Sequence, residues 1–229
     1  NLKSDNEKIL KEAKIERVWF TTAFSMTVIT ATNFILYQSD IIIIGFMLDD
    51  YTTGLYASAV KLVALVGFFL SAIELVGAPM IARIHAKKNS KEELKRMVSH
   101  FARYIAIGSI PICLVLLVFP SQILSLFGSD FEKAGTLLMI LAISKLIHAL
   151  TGLAGYLLIM TGNHHSLLIV QGINSAINLM LNIMLIPFVG AIGAAFSTLL
   201  CTLFQSVYVI HKCKKKLGID PSIFSRHHS

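Results

Sequence analysis

Six long runs of apolar residues constrain this chain more than any other feature of its sequence. A helix that crosses the hydrocarbon core of a bilayer needs about 20 mostly apolar residues, and each run reaches that length. The runs therefore predict an all-α fold, in which the chain is a polytopic membrane protein built as a bundle of about six transmembrane helices. They cover residues 18–48, 54–84, 97–119, 131–160, 166–186 and 191–211. Pro187 is expected to end the fifth helix, because proline removes a backbone donor.

The composition supports the same class of protein. Hydrophobic residues make up 55% of the sequence and charged residues only 14%, whereas about a quarter of the residues in a soluble domain are charged. The low charge excludes an ordinary soluble domain. In a chain of this kind, the unit of structure is the membrane-spanning helix.

Lysine and arginine are distributed unevenly, and basic loops stay on the cytoplasmic side of a membrane. Almost all of the 20 lysine and arginine residues fall in the segments 3–17, 83–103 and 212–226. We therefore expect residues 1–17 to form a basic cytoplasmic linker, residues 18–213 the six-helix transmembrane lobe, and residues 214–229 a cytoplasmic tail. Both termini would then be cytoplasmic. The same partition accounts for the net charge of +7 and argues against a nucleic-acid partner.

Charged side chains inside the apolar runs are the candidate functional residues, because a charge at the bilayer centre costs roughly 2.5–3.5 kcal/mol on insertion scales. Lys61 and Lys145 could attract an anionic substrate, although snorkelling toward the membrane surface is the alternative for each. Glu74 and Arg103 are predicted at similar depth in one helical hairpin, so we expect a structural or gating ion pair, with proton coupling by Glu74 as the lesser alternative. His148, one turn after Lys145, is a second candidate for gating or coupling, unless it is a satisfied interior group.

Polar residues also form stripes on two of the predicted helices. Asn33, Tyr37 and Asp40 are four and three residues apart, so they share one face of the first helix. Stripes of this kind either line a cavity or join helices by hydrogen bonds, and the spacing does not distinguish the two. Asn33, Asp40 and Asn178 are the candidate substrate contacts among them. The second stripe, on the fifth helix, consists of Gln171, Asn174, Asn178 and Asn182.

Motifs that carry enzymatic chemistry are missing from the sequence. It contains no glycine-rich loop that would cradle a phosphate, no Ser–His pairing and no spaced pair of carboxylates. The three cysteines have neither metal nor redox spacing, and the two His–His pairs have no further ligands beside them. We therefore expect a protein that is not an enzyme and that uses neither a metal nor another cofactor.

Several short motifs follow one another along the chain. They include Gln38–Ser39–Asp40, Gly54–Leu55–Tyr56 with Lys61, Met160–Thr161–Gly162–Asn163, and Leu185–Ile186–Pro187 with Gly190. In this order and spacing they resemble the carboxy-terminal half of polysaccharide flippases, which belong to the multidrug/oligosaccharidyl-lipid/polysaccharide exporter superfamily. Members of that family have two lobes. The resemblance thus implies that this chain is one lobe and that an amino-terminal lobe is its partner.

The resemblance also implies a function. Such flippases are alternating-access carriers that move isoprenoid-diphosphate-linked oligosaccharide across the cytoplasmic membrane of a bacterium for surface polysaccharide synthesis. The partners would be this anionic lipid-linked glycan and the bilayer, and Lys61, Arg103 and Lys145 would supply positive charge for the diphosphate. A cation-coupled multidrug exporter of the same superfamily and a non-transporting membrane scaffold are the alternatives.

Overall fold

The protein is almost entirely helical in the residues that its computed structural model describes, which are 38–85, 91–161 and 164–218. A short 3₁₀ segment, Ser129–Ala134, precedes α5. Packing divides the chain at Asp40, and the unit Ile41–Ser229 contains the contacts reported below. The helices are α1 (Gln38–Met47), α2 (Asp50–His85), α3 (Lys91–Val118), α4 (Pro120–Ser125), α5 (Gly135–Met160), α6 (His164–Val189) and α7 (Ala191–Leu217).

Five helical spans in the described residues are long and apolar enough to cross a membrane. They match the second to sixth predicted runs, so the prediction of an all-α polytopic membrane protein is confirmed. The first predicted run lies mostly outside the described residues, and its described part contains the short apolar helix α1. The five spans are Asp50–Ile81, Glu92–Val118, Ser129–Met160, Leu167–Val189 and Ala191–Leu217.

The long helices run alternately up and down. In the pair of α2 and α3, the Ser109 hydroxyl donates a hydrogen bond of 2.7 Å to the Val66 carbonyl oxygen, and Gly77 lies against the Phe101 ring. This order of contacts makes the two helices antiparallel. The end of the bundle where α2 and α7 finish and α3 begins collects the basic residues Arg83, Lys95, Arg96 and Lys214, Lys215, Lys216.

Helix α5 is the centre of the packing. It contacts α2, α3 and α7, whereas α6 packs mainly on α7. Two apolar clusters lie along α5, one around Leu138 and Leu141 and the other around Leu153 and Leu157. Among the spans of the described residues α5 is the most buried and α6 the least.

Two details of the helices differ from the sequence-based expectation. Helix α6 does not end at Pro187 but continues to Val189, because a proline removes only the bond of its own nitrogen. The amide of Gly190 still donates to the Ile186 carbonyl oxygen over 2.8 Å. The second difference is the end of α7, which extends to Leu217, four residues beyond the expected limit of the lobe at residue 213.

Candidate functional site

Polar side chains gather at mid-height in the helical bundle, between the two apolar clusters. On α5, the cluster around Leu138 ends at Ala142 and the cluster around Leu153 begins at Ala149. The residues between them include Ser144, Lys145 and His148, and polar residues of α3 and α7 lie at the same level. We call this set the central polar layer: Ser109, Ser144, Lys145, His148 and Thr202.

Lys145 enters this layer along the surface of α2. Its side chain is half-buried, and its Cε lies directly over Gly67, only 2.6 Å from where a β-carbon on that glycine would stand. The Lys145 ammonium is close enough to Glu74 and to His148 for electrostatic interaction. Lys145 thus lies within electrostatic range of two other candidates that the sequence suggested, Glu74 and His148.

His148 carries a buried polar atom that lacks a protein partner. Its Nδ1 makes no hydrogen bond within the described residues, and leaving such a group unsatisfied typically costs about 1–3 kcal/mol. His148 follows Ser144, which contacts α7, by four residues and Lys145, which contacts α2, by three. It therefore lies on α5 between the sides that face these two helices.

The expected ion pair between Glu74 and Arg103 is wrong. Both residues belong to the described part of the chain, and there they form no ion pair with each other: Arg103 is exposed on α3 while Glu74 is half-buried on α2. The contacts of Gly77 with Phe101 and of Ser109 with Val66 put the two residues at about the same depth. The pair fails because of the rotation of α3 about its axis, which turns Arg103 away from α2.

Lys61 is separated from the central polar layer. It is exposed and precedes Gly67 by six residues, which is about 9 Å along a helix and on a different face. Of the stripe on the first helix, Asn33 lies outside the described residues, whereas Asp40 is half-buried in α1. The roles of Lys61, Arg103, Asn33 and Asp40 in substrate binding stay predictions.

The stripe on α6 includes residues that join helices. The Asn174 Nδ2 donates to the Gln205 Oε1 of α7 over 3.0 Å. Asn182 is fully buried, and its Nδ2 donates to the Asn178 Oδ1 over 3.2 Å within the same helix. For Asn174, the hydrogen-bonding alternative is therefore the one that the structure supports. Asn178 remains half-buried, and its role as a substrate contact stays a prediction.

A polar seam between α5 and α7 was missed from the sequence. Ser144 and Thr202 are hydrogen-bonded at 3.0 Å, and Thr151 and Ser206 at 2.8 Å. Each threonine hydroxyl also donates to the carbonyl oxygen four residues before it. Since a hydroxyl has one proton, the two serines are the donors across the seam. The spacing of seven residues on α5 and four on α7 was the available signal.

Comparison with known proteins places these features in a family. The family model described as "Polysaccharide biosynthesis protein" matches residues 11–135, more than half of the chain. No solved structure matches the chain. With the five apolar helices, this match identifies a multi-pass membrane protein.

Two relatives come from the archaeon Haloferax volcanii. A protein named "Probable low-salt glycan biosynthesis flippase Agl15" is 28% identical over 173 residues, which are 75% of this chain and 36% of the relative. "Probable flippase AglR" is 24% identical over 187 residues, 80% of this chain and 39% of the relative. The chain thus spans less than two-fifths of the length of either relative. On the match of residues 11–135, the chain belongs to the family of polysaccharide biosynthesis proteins.

Proposed function

We propose that this lobe is part of an alternating-access carrier that flips isoprenoid-diphosphate-linked oligosaccharide across the cytoplasmic membrane for surface glycan synthesis. The carrier is a transporter and not an enzyme. Its partners are the anionic lipid-linked glycan, the bilayer and a second, amino-terminal lobe. Family membership and the names of the two relatives support the transported class. Both termini face the cytoplasm in this proposal, and a bacterial source stays a prediction.

The observation that carries the proposal is the placement of Lys145. A lysine at mid-height in a membrane bundle is expensive and is kept where it faces the protein interior or a watery cavity. Lys145 is half-buried between α2 and α5, and it attracts the diphosphate of the substrate by its charge. Glu74, which interacts electrostatically with Lys145, holds the ammonium when no substrate is bound, and the arriving diphosphate takes its place.

His148 completes the response to substrate in this scheme. Its Nδ1 is buried without a protein partner in the described residues, so the nitrogen is available to a phosphate oxygen or to a water that accompanies the head group. His148 also interacts with Lys145. A change in the position of the ammonium therefore changes the electrostatic interaction at His148. These two residues, with Glu74, form the gating or coupling group.

The rival carrier, a cation-coupled multidrug exporter, requires an acidic site for organic cations. Glu74 is the acid that such a site would use, but the Lys145 ammonium opposes a cation there. The anionic substrate is thus the better match to the charges of the central polar layer. A non-transporting scaffold requires no charge at this depth.

The test is leaflet transfer of a fluorescent isoprenyl-diphosphate glycan in proteoliposomes that contain the full-length protein. Lys145→Gln is compared with Lys133→Gln, which removes a charge at the exposed ion pair with Asp130. A hydrogen bond to a charged group is worth about 1.5–3 kcal/mol, so Lys145→Gln should slow transfer by about tenfold or more. Lys133→Gln should transfer at the wild-type rate.

Three results would contradict the proposal. Equal rates for the wild type and Lys145→Gln, at equal protein level, would remove Lys145 from substrate recognition. Transfer of an organic cation but not of the glycolipid would establish the multidrug exporter, and transfer of neither would favour the scaffold.

A further inference from the structure

Helices α2 and α5 approach each other at two glycines, one on each helix. Gly67 of α2 lies under the Lys145 side chain, and Gly152 of α5 lies under the Leu70 side chain of α2. A methyl group on Gly67 would stand 2.6 Å from the Lys145 Cε, and one on Gly152 would stand 2.5 Å from the Leu70 Cδ2. Neither methyl fits without movement of the opposing side chain, so the two sites are sterically equivalent.

The two glycines differ in what they accommodate. Leu70 belongs to the apolar cluster around Leu153 and is almost fully buried, so the space over Gly152 is filled by ordinary packing. The space over Gly67 is filled by the stem of a lysine. Among the glycines of the described residues, Gly67 is the one whose missing side chain is replaced by a charged residue.

The absence of a side chain at Gly67 determines where the Lys145 ammonium can lie. A lysine stem has four rotatable bonds, and in a bilayer a free stem carries its ammonium toward the surface. Across Gly67, the stem can lie flat on the α2 backbone, with Nζ 3.3 Å from the position that a β-carbon would occupy. An alanine would push the Lys145 Cε off this path, and the Nζ beyond it would move as well.

We propose that Gly67 is a positioning residue for anion recognition: its bare backbone holds the Lys145 ammonium in the central polar layer, where it meets a diphosphate head group. This inference rests on the proposed function. It adds to the residues that determine substrate recognition a glycine of α2 that has no reactive or charged group of its own. Gly67 acts through Lys145 and touches no substrate.

The test measures binding of farnesyl diphosphate to the full-length protein in nanodiscs, with farnesol as the neutral reference. Gly67→Ala should weaken binding of the diphosphate by about tenfold, the loss expected for one misplaced charged contact, and leave farnesol binding unchanged. Gly152→Ala is the matched control, because it introduces the same methyl at the same helix pair. It should leave the ratio of the two affinities within about twofold of wild type.

A second background separates positioning from packing. When Lys145→Ala removes the stem, Gly67→Ala has nothing to displace, and it should cause no further loss of diphosphate affinity. If Gly67→Ala fails to fold, Lys145→Arg provides the same comparison, because it retains the charge on a wider, planar head group. It should also lose about tenfold in affinity.

The outcomes distinguish the inference from the proposed function. If the wild type binds farnesyl diphosphate no more tightly than farnesol, both are overturned. If the wild type prefers the diphosphate but Gly67→Ala and Gly152→Ala change that preference equally, the proposed function stands and positioning by Gly67 is overturned. An undiminished effect of Gly67→Ala in the Lys145→Ala background would overturn positioning as well.

Discussion

Gly193 of α7 lies directly against the backbone of α6, and its replacement by alanine is the sharpest test of the fold. The added methyl would stand 2.8 Å from the Leu185 carbonyl oxygen of α6 and 2.9 Å from the carbonyl carbon. These are backbone atoms, so no side-chain rotation can relieve the contact. The two helices must separate by several tenths of an ångström, and the packing around Ala194 and Ala195 must follow.

The magnitude follows from two opposing terms. Forcing extra volume into a packed interior typically costs about 1–3 kcal/mol. Alanine in place of glycine returns up to about 1 kcal/mol through its higher helix propensity. We therefore expect Gly193→Ala to lower the free energy of unfolding by about 1–2 kcal/mol, with the larger loss if the α6–α7 contact cannot relax.

Gly172→Ala on α6 is the matched control for this measurement. A methyl on Gly172 has no neighbouring atom within 4 Å, so only the propensity term remains, and stability should be unchanged or raised by up to about 1 kcal/mol. The assay is reversible unfolding of the purified protein in mixed micelles with increasing SDS. Equal shifts for the two variants, or a Gly193→Ala protein as stable as wild type, would refute the close backbone approach.

Two further predictions concern hydrogen bonds. A double-mutant cycle with Thr151→Val and Ser206→Ala should give a coupling free energy of about 0.6 kcal/mol and at most about 1.7 kcal/mol, the range for such bonds in membranes; additive effects in the same unfolding assay would mean that the seam bond is absent. At the start of α2, hydrogen bonds from the Thr52 amide and then from its hydroxyl lower the pKa of Asp49 below its ordinary value of 3.8. Because the folded-state pKa is depressed, this stabilisation is complete above pH 3.8 and is lost as the pH falls through the lowered pKa. Asp49→Asn keeps the capping oxygen but does not titrate. Acid should therefore lower the hydrogen-exchange protection factor of the Thr52 amide in the wild type but not in this variant. The same acid dependence of the protection factor in both proteins would contradict the cap.

The helices could be predicted from sequence because a bilayer leaves few choices. Every backbone group inside the membrane must be satisfied within the protein, so a long apolar run becomes a spanning helix almost regardless of detail. Five such spans are present in the described residues. The end predicted at Pro187 came too early. A helix terminus depends on single hydrogen bonds, here that from the Gly190 amide to the Ile186 carbonyl oxygen, and the length of an apolar run does not indicate which of these bonds form.

The site was predictable along a helix but not between helices. The spacing of Lys145 and His148 indicates a shared face from the sequence alone, and the structure places both in the central polar layer. The depth of Arg103 relative to Glu74 was also close to correct, because the hairpin fixes it. Their contact was not, because the rotation of each helix is set by packing such as that of Phe101 on Gly77, which no local pattern encodes.

The dependence of α6 on α7 has a consequence for how the chain enters the membrane. Because α6 packs mainly on α7 and only slightly on α5, it has few places to bind when it leaves the translocon before α7 has been synthesised. The Asn174 side chain, which donates to Gln205 of α7, and the fully buried Asn182 would then face lipid until α7 arrives. The turn at Gly190, with its positive φ of 64°, brings α7 back against α6 at once. We expect this hairpin to insert as one cooperative unit.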